Sequence, residues 1–253
     1  LSYWQNQEKS KKIKMSITLK TPLSSLSKVG QTIAGRLKKI NLKKVEDLIF
    51  YYPFRYEDYS RIVKIQDIKI GETLTVRGRI EQIAESASPI QRKSVTEACL
   101  TDDTGRIKAV WFNQPFIAKT LKTGDLVALA GKVELDRYGL QFKSPEYEKI
   151  GAGNEPIHTG RLSPVYSVTA GITQKQIRFL VKMALSALDQ IEEWLPKEAL
   201  KQENIKTLKQ IDNNDQAAIL PNQFISLPEA LKNIHFPENL QILEQAKYRL
   251  KFD

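Results

Sequence analysis

The sequence has a single cysteine, Cys99, so no intrachain disulfide can form and a reducing compartment suits it. It has two histidines, His158 and His235, far apart and without cysteine neighbours, which excludes the usual zinc spacings. No apolar run reaches the roughly 18 residues of a membrane helix, so no membrane contact is expected. Lys9, Lys11, Lys12 and Lys14 are not followed by the apolar segment of a secretory signal. The motif G-x-x-x-x-G-K-[ST] is absent. Gly131 and Lys132 are adjacent but fall inside a predicted strand, so no phosphate-cradling loop is available to this chain. No Ser-His-Asp or Cys-His signature stands out, and no catalytic residue is assigned. Asp102 and Asp103 form a carboxylate pair, but they sit in Asp-Asp-Thr-Gly, where aspartate is favoured for local turn hydrogen bonds.

What is present is positive charge, unevenly spread. The net charge is +10. Residues 1–60 hold 12 Lys and Arg against 5 Asp and Glu, residues 61–150 hold 15 against 12, and residues 151–253 hold 12 of each. A basic front on a neutral rear points to a polyanionic partner at the front. Met15 opens MSITLKTPLSSL, and residues 1–14 read as a disordered or non-native extension ahead of it.

The hydrophobic pattern changes twice along the chain, and the expected class is α+β. Residues 15–60 read as a helical segment, with Ile33, Leu37 and Ile40 and then Val45, Leu48, Ile49 and Tyr52 at helical spacing. Asn41 separates the two runs and Pro53 ends the second. Residues 61–150 switch to period two. TLTVRGRI (73–80), VTEACL (95–100) and RIKAVWF (106–112) read as strands. A short helix follows at 115–121, then LVALAGKVEL (126–135) and YGLQFKS (138–144) as a hairpin. Three strands, a helix and two strands match the five-stranded OB-fold barrel. Residues 151–253 read as a helical region. A Gly-containing linker covers 151–160, and a long helix at 174–194 is capped by Thr173 and Gln176 and ended by Pro196. Two further helices are expected at 228–234 and 238–250, and the polar stretch 201–226 has no clear pattern.

Three features bear on nucleic acid. LSKVGQTIAGRLKKI (26–40) is similar to half of a helix-hairpin-helix element, with Gly30 before a helix start and Arg36, Lys38 and Lys39 close by. It departs from that pattern at Lys28, and a packing helix with a solvated basic face accounts for it better. Arg77, Arg79, Arg106 and Lys108 stand out of phase with the apolar strand faces, where they either meet phosphates or solvate the barrel. In VWFNQPF (110–116), an inward Trp111 sends Phe112 outward into a loop of Asn113, Gln114 and Pro115 that ends at Phe116. An aromatic leaving a barrel there packs on the short helix or meets a ligand.

Several segments together carry a resemblance. LKKINLKKVEDLIFYYPFRYED (37–58), WFNQPF (111–116), SPEYE (144–148), LSPVYSVTAGITQKQIRFLV (162–181) and ALKNIHFP (230–237) resemble, in order, the RecG-type ATP-dependent DNA helicases. AKYRLKFD (246–253) is similar to the lead-in to that family's first motor domain. The resemblance implies the wedge of a bacterial, cytoplasmic fork-remodelling enzyme, which holds branched DNA and splits strands as a motor pulls duplex. Its partners would be branched DNA and the motor domains, with the chain a monomer. ATP and magnesium belong to the motor domains, and no cofactor is expected here. By the resemblance, Phe112 stacks on the base pair at the branch point and Phe116 supports a separated arm, with Asn113, Gln114 and the four basic residues as further DNA contacts. The serine of SPEYE stands where histidine is common in that family. The residues alone leave a second reading open, an OB-fold module that docks protein without touching DNA, and a third, an enzyme with an unrecognised site.

Overall fold

The structure, a computed structural model, describes residues 17–87, 94–137, 139–151, 157–196 and 224–251. The extension expected at 1–14 and most of the stretch at 201–226 lie outside the described residues. In chain order the α-helices are α1 (Gln31–Lys39), α2 (Val45–Ile49), α3 (Phe116–Thr120), α4 (Gln174–Ala184), α5 (Leu227–His235) and α6 (Leu240–Leu250). The strands are β1 (Arg55–Asp58), β2 (Ile62–Val63), β3 (Thr73–Ala87), β4 (Ser94–Thr101), β5 (Arg106–Phe112), β6 (Leu126–Asp136), β7 (Gly139–Lys143), β8 (Glu146–Lys149) and β9 (Leu162–Val165).

Five strands close on themselves. β3 pairs with β4, β4 with β5, β5 in parallel with β7, β7 with β6, and β6 returns to β3. With α3 between β5 and β6, this is the OB-fold topology. Alternation fills the barrel as expected: Leu74, Val76, Ile80, Ile107, Ala109 and Trp111 all point into one core with Val127, Leu129 and Phe142. Gly78 is required by a close approach, since a Cβ there would stand 2.5 Å from the Thr101 carbonyl oxygen. β3, β4 and β6 run longer than expected, β5 has its expected bounds, β7 ends one residue early at Lys143, and two more strands join the sheet: β2 flanks β3, and β8 flanks β6. β3 and β4 continue past a register shift between Ile80 and Gln82 into a paired arm, Gln82–Ala87 against Ser94–Cys99.

The Asp102–Gly105 turn behaves as its composition predicts. The Asp102 carboxylate accepts from Thr104 N and Oγ1, from Gly105 N, and from Ile65 N in the 3₁₀ turn before β3. That use satisfies a turn rather than chemistry.

The helical ends of the chain meet in one core. Leu23, Leu37, Val45, Leu48 and Ile49 from the front pack with Tyr166, Ile177, Leu180, Val181 and Leu231 from the rear. β1 and β9 form a separate two-stranded sheet beside it. His235 ties three of these segments. Its Nε2–H donates to the Ile49 carbonyl at 2.7 Å, which leaves Nδ1 to accept from the Tyr166 hydroxyl at 2.8 Å. Burial pushes the imidazole down to about 4, so it is neutral in this arrangement. Arg249, 0% exposed, reaches Glu193 at 2.8 Å.

The helix expected at 174–194 is shorter. Thr173 and Gln176 cap it as predicted, but the α-helix ends at Ala184 and a 3₁₀ segment covers Leu185–Gln190. The Ser186 hydroxyl donates to the Met183 carbonyl at 2.7 Å, a local bond that favours the tighter winding well before Pro196. The linker expected at 151–160 is not free over its last residues: Ile157 N, His158 N and Thr159 Oγ1 all donate to the Glu148 carboxylate. Among the described residues no helix is long and apolar enough to cross a membrane.

Candidate nucleic-acid interface

The loop after β5 is built by one dipeptide split between two environments. Trp111 is buried, and its Nε1–H donates to the Pro145 carbonyl at 2.8 Å. Phe112, next in the strand, faces out and is 42% exposed. Asn113 then takes a left-handed conformation, φ 56°, which asparagine tolerates better than most residues. Its N–H donates to the Ser94 carbonyl at 2.7 Å. The Gln114 carbonyl accepts from Thr96 Oγ1 at 3.2 Å and from Ile117 N at 3.1 Å. Pro115 leads into α3, which is anchored by the buried Ile117 and followed by the buried Leu121. Phe116 opens that helix on its outer side and is 50% exposed. Two bare aromatic rings therefore flank a loop whose backbone is fixed at several points. A fixed backbone lowers the ordering cost of any contact these rings make. Fully burying a phenylalanine side chain is worth about 1.5–3 kcal/mol, and these half-exposed rings retain about half of that.

The structure brings Phe112, Asn113, Gln114 and Phe116 together but not the four basic residues. Phe112 pairs with Val95, near the outer end of the β3–β4 arm. Arg79 and Arg106 both pair with Thr101, at the other end of the same strands. Arg106 and Phe112 stand at the two ends of β5, about 20 Å of strand apart. Arg106 is bonded to Glu81 and Lys108 to Glu97, each at 2.9 Å. Arg79 donates to the Gly124 carbonyl. Arg77 is exposed and has no ion-pair partner among the described residues. Arg36 in α1 donates to the Gly171 carbonyl at 2.7 Å. Lys28, at the departure from the hairpin pattern, nevertheless adopts the glycine-like φ of 68°.

Comparison with known proteins decides the family. The family model described as the RecG wedge domain matches residues 22–188. The chain belongs to the RecG wedge domain family. Relatives named ATP-dependent DNA helicase RecG share this wedge: that of Synechocystis sp. is 33% identical over 94% of the chain, and that of Haemophilus influenzae 32% identical over 90%. The chain spans only 28% and 30% of their respective lengths. A solved structure of RecG bound to a three-way DNA junction superimposes with a TM-score of 0.68 at 26% identity, covering 92% of this wedge chain and 29% of that one. The OB-fold barrel with helices at both ends is thus the architecture of a RecG-type wedge.

Proposed function

We propose that this chain binds branched DNA, as at a replication fork or Holliday junction, and acts as the strand-separating wedge of an ATP-dependent DNA helicase in repair and recombination. The observation that carries the reading is the pair of exposed rings, Phe112 and Phe116, on a fixed loop at one end of an OB-fold barrel. The junction bound by the structurally similar RecG supports branched DNA as the ligand. Phe112 caps the last base pair, and Phe116 supports a separated arm, with Asn113 and Gln114 lining the path between them. Arg77 and, at the far end of the strands, Arg79 and Arg106 meet backbone phosphates. Lys108 and Arg106 would exchange their carboxylate partners for phosphate as DNA arrives.

Magnitudes limit what the wedge does. Stacking one base on an aromatic ring is worth roughly 1–3 kcal/mol. One base-pair step contributes about 1.4 kcal/mol. The ring offsets the opening of a pair but supplies no direction. Directed work falls to motor domains of the longer polypeptide, the second partner of this chain.

Fluorescence anisotropy with a labelled fork and a matched linear duplex tests the proposal. The fork should bind more tightly, and affinity for both should fall with salt. Phe112→Ala should weaken fork binding about 5- to 100-fold while the melting transition stays cooperative. Equal, negligible binding to both DNAs would favour the protein-docking reading. Loss of the cooperative melt would make Phe112 a core residue.

A further inference from the structure

Both exposed rings trace back to one tyrosine. Tyr147 lies in β8, within SPEYE. Its ring meets Trp111 edge-on, with centroids 6.1 Å apart and planes at 84°. Trp111 immediately precedes Phe112 and is bonded to Pro145, two residues before Tyr147. The Tyr147 hydroxyl lies beside the Thr120 side chain at the end of α3. The Thr120 hydroxyl in turn donates to the carbonyl of Phe116 at 2.9 Å.

Tyr147 is itself held from outside the barrel. Lys175, in the first turn of α4, places its Nζ 2.7 Å from the Tyr147 carbonyl and 3.1 Å from the ring centroid. One turn on, the buried Arg178 reaches Glu146 at 3.2 Å and the Pro164 carbonyl at 2.8 Å. The strap Pro145–Glu146–Tyr147 is therefore gripped by the stacking loop on one side and by α4 on the other. A cation enclosed in this way is an expensive means of simply gluing two modules, since apolar side chains of similar volume often serve as well or better. What a lysine adds is a fixed orientation of one carbonyl and one ring.

We infer that Tyr147 and Lys175 are positioning residues for the stacking pair: Lys175 fixes Tyr147, and Tyr147 aims Phe112 through Trp111 and Phe116 through Thr120. The inference rests on the reading of Phe112 and Phe116 as base-stacking platforms. It makes the helical module, through α4, part of the apparatus that orients the wedge.

The test uses the full chain and a fork carrying 2-aminopurine at the last base pair, whose fluorescence reports stacking. Lys175→Met should cut the fork-over-duplex affinity ratio about fivefold or more, with reduced quenching. Linear-duplex affinity and its salt slope should stay at parent values, because no phosphate contact is lost. Lys175→Arg, which keeps a cation over the ring, should restore the ratio. Tyr147→Phe keeps the ring and removes only the hydroxyl beside Thr120, and should shift the signal from a probe placed in the separated arm. If Phe112→Ala loses quenching while Lys175→Met and Tyr147→Phe retain both quenching and ratio, the positioning role is overturned and the wedge reading stands. If Phe112→Ala itself changes nothing, the wedge reading falls and takes the inference with it. Should Lys175→Met fail to melt cooperatively, Tyr147→Phe decides alone.

Discussion

Trp111 and Phe112 sit side by side and do opposite things. The strand period puts one in the core and its neighbour in water, and Trp111 makes the outward pose of Phe112 durable by bonding to Pro145. Gly78 works at the same scale. Replacing it with alanine drives a methyl into the Thr101 carbonyl, backbone that cannot swing aside. Gly78→Ala should lower stability by about 1–3 kcal/mol, read from the urea midpoint, without altering the loop chemistry. The outward turn of Phe112 was legible because alternation requires only one strand. The partners of Arg106 and Lys108 were not, because Glu81 and Glu97 come from other strands. Glu81 also lies at the register shift, which no local pattern announces. Tyr147 stayed invisible for a similar reason: SPEYE stood out as a segment, but its contacts reach β5, α3 and α4.

At the scale of elements, one turn ties the β4–β5 hairpin to the segment before β3. Asp102 serves three groups of its own loop and reaches Ile65 N in the 3₁₀ turn before β3. Asp102→Ala strands those backbone donors and should cost about 1–3 kcal/mol, measured by thermal melting. Asp103→Ala removes only an exposed contact with Lys64 and should change stability by less than about 0.5 kcal/mol. Elements made by local pattern were readable, including the five barrel strands, the cap of α4 and both rear helices. β1 and β9 were not. RYED is too polar to alternate, LSPV contains proline, and their pairing spans more than a hundred residues, so neither half marks itself as a strand. The helix at 174–194 was overextended because apolar spacing continues past Ala184 while the hydrogen bonding tightens.

Two histidines that are neutral when folded make the whole molecule sensitive to acid. Burial pushes His235 down to about 4 and His158 down to about 3, against 6.5 for a free imidazole. Below pH 6.5 the unfolded chain takes up protons that the folded one refuses. The histidine contribution to stability is therefore full above pH 6.5 and declines as pH falls toward 4 and then 3. Melting curves from pH 8 to 4 should show that decline. His235→Gln should be less stable at pH 7 and show a shallower fall, because one of the two groups no longer titrates. A decline of unchanged steepness in that variant would remove His235 from the account.

The shared helical core also sets a timetable for synthesis. Leu48 and Ile49 leave the ribosome about 130 residues before Ile177 and Leu180, the side chains that cover them. At roughly 5–20 residues per second, translation leaves the early helices uncovered for about 6–26 seconds. Through that interval the barrel can close on its own strands, while the apolar faces of α1 and α2 wait for their partners. The nascent chain thus carries an exposed apolar surface that the finished wedge buries.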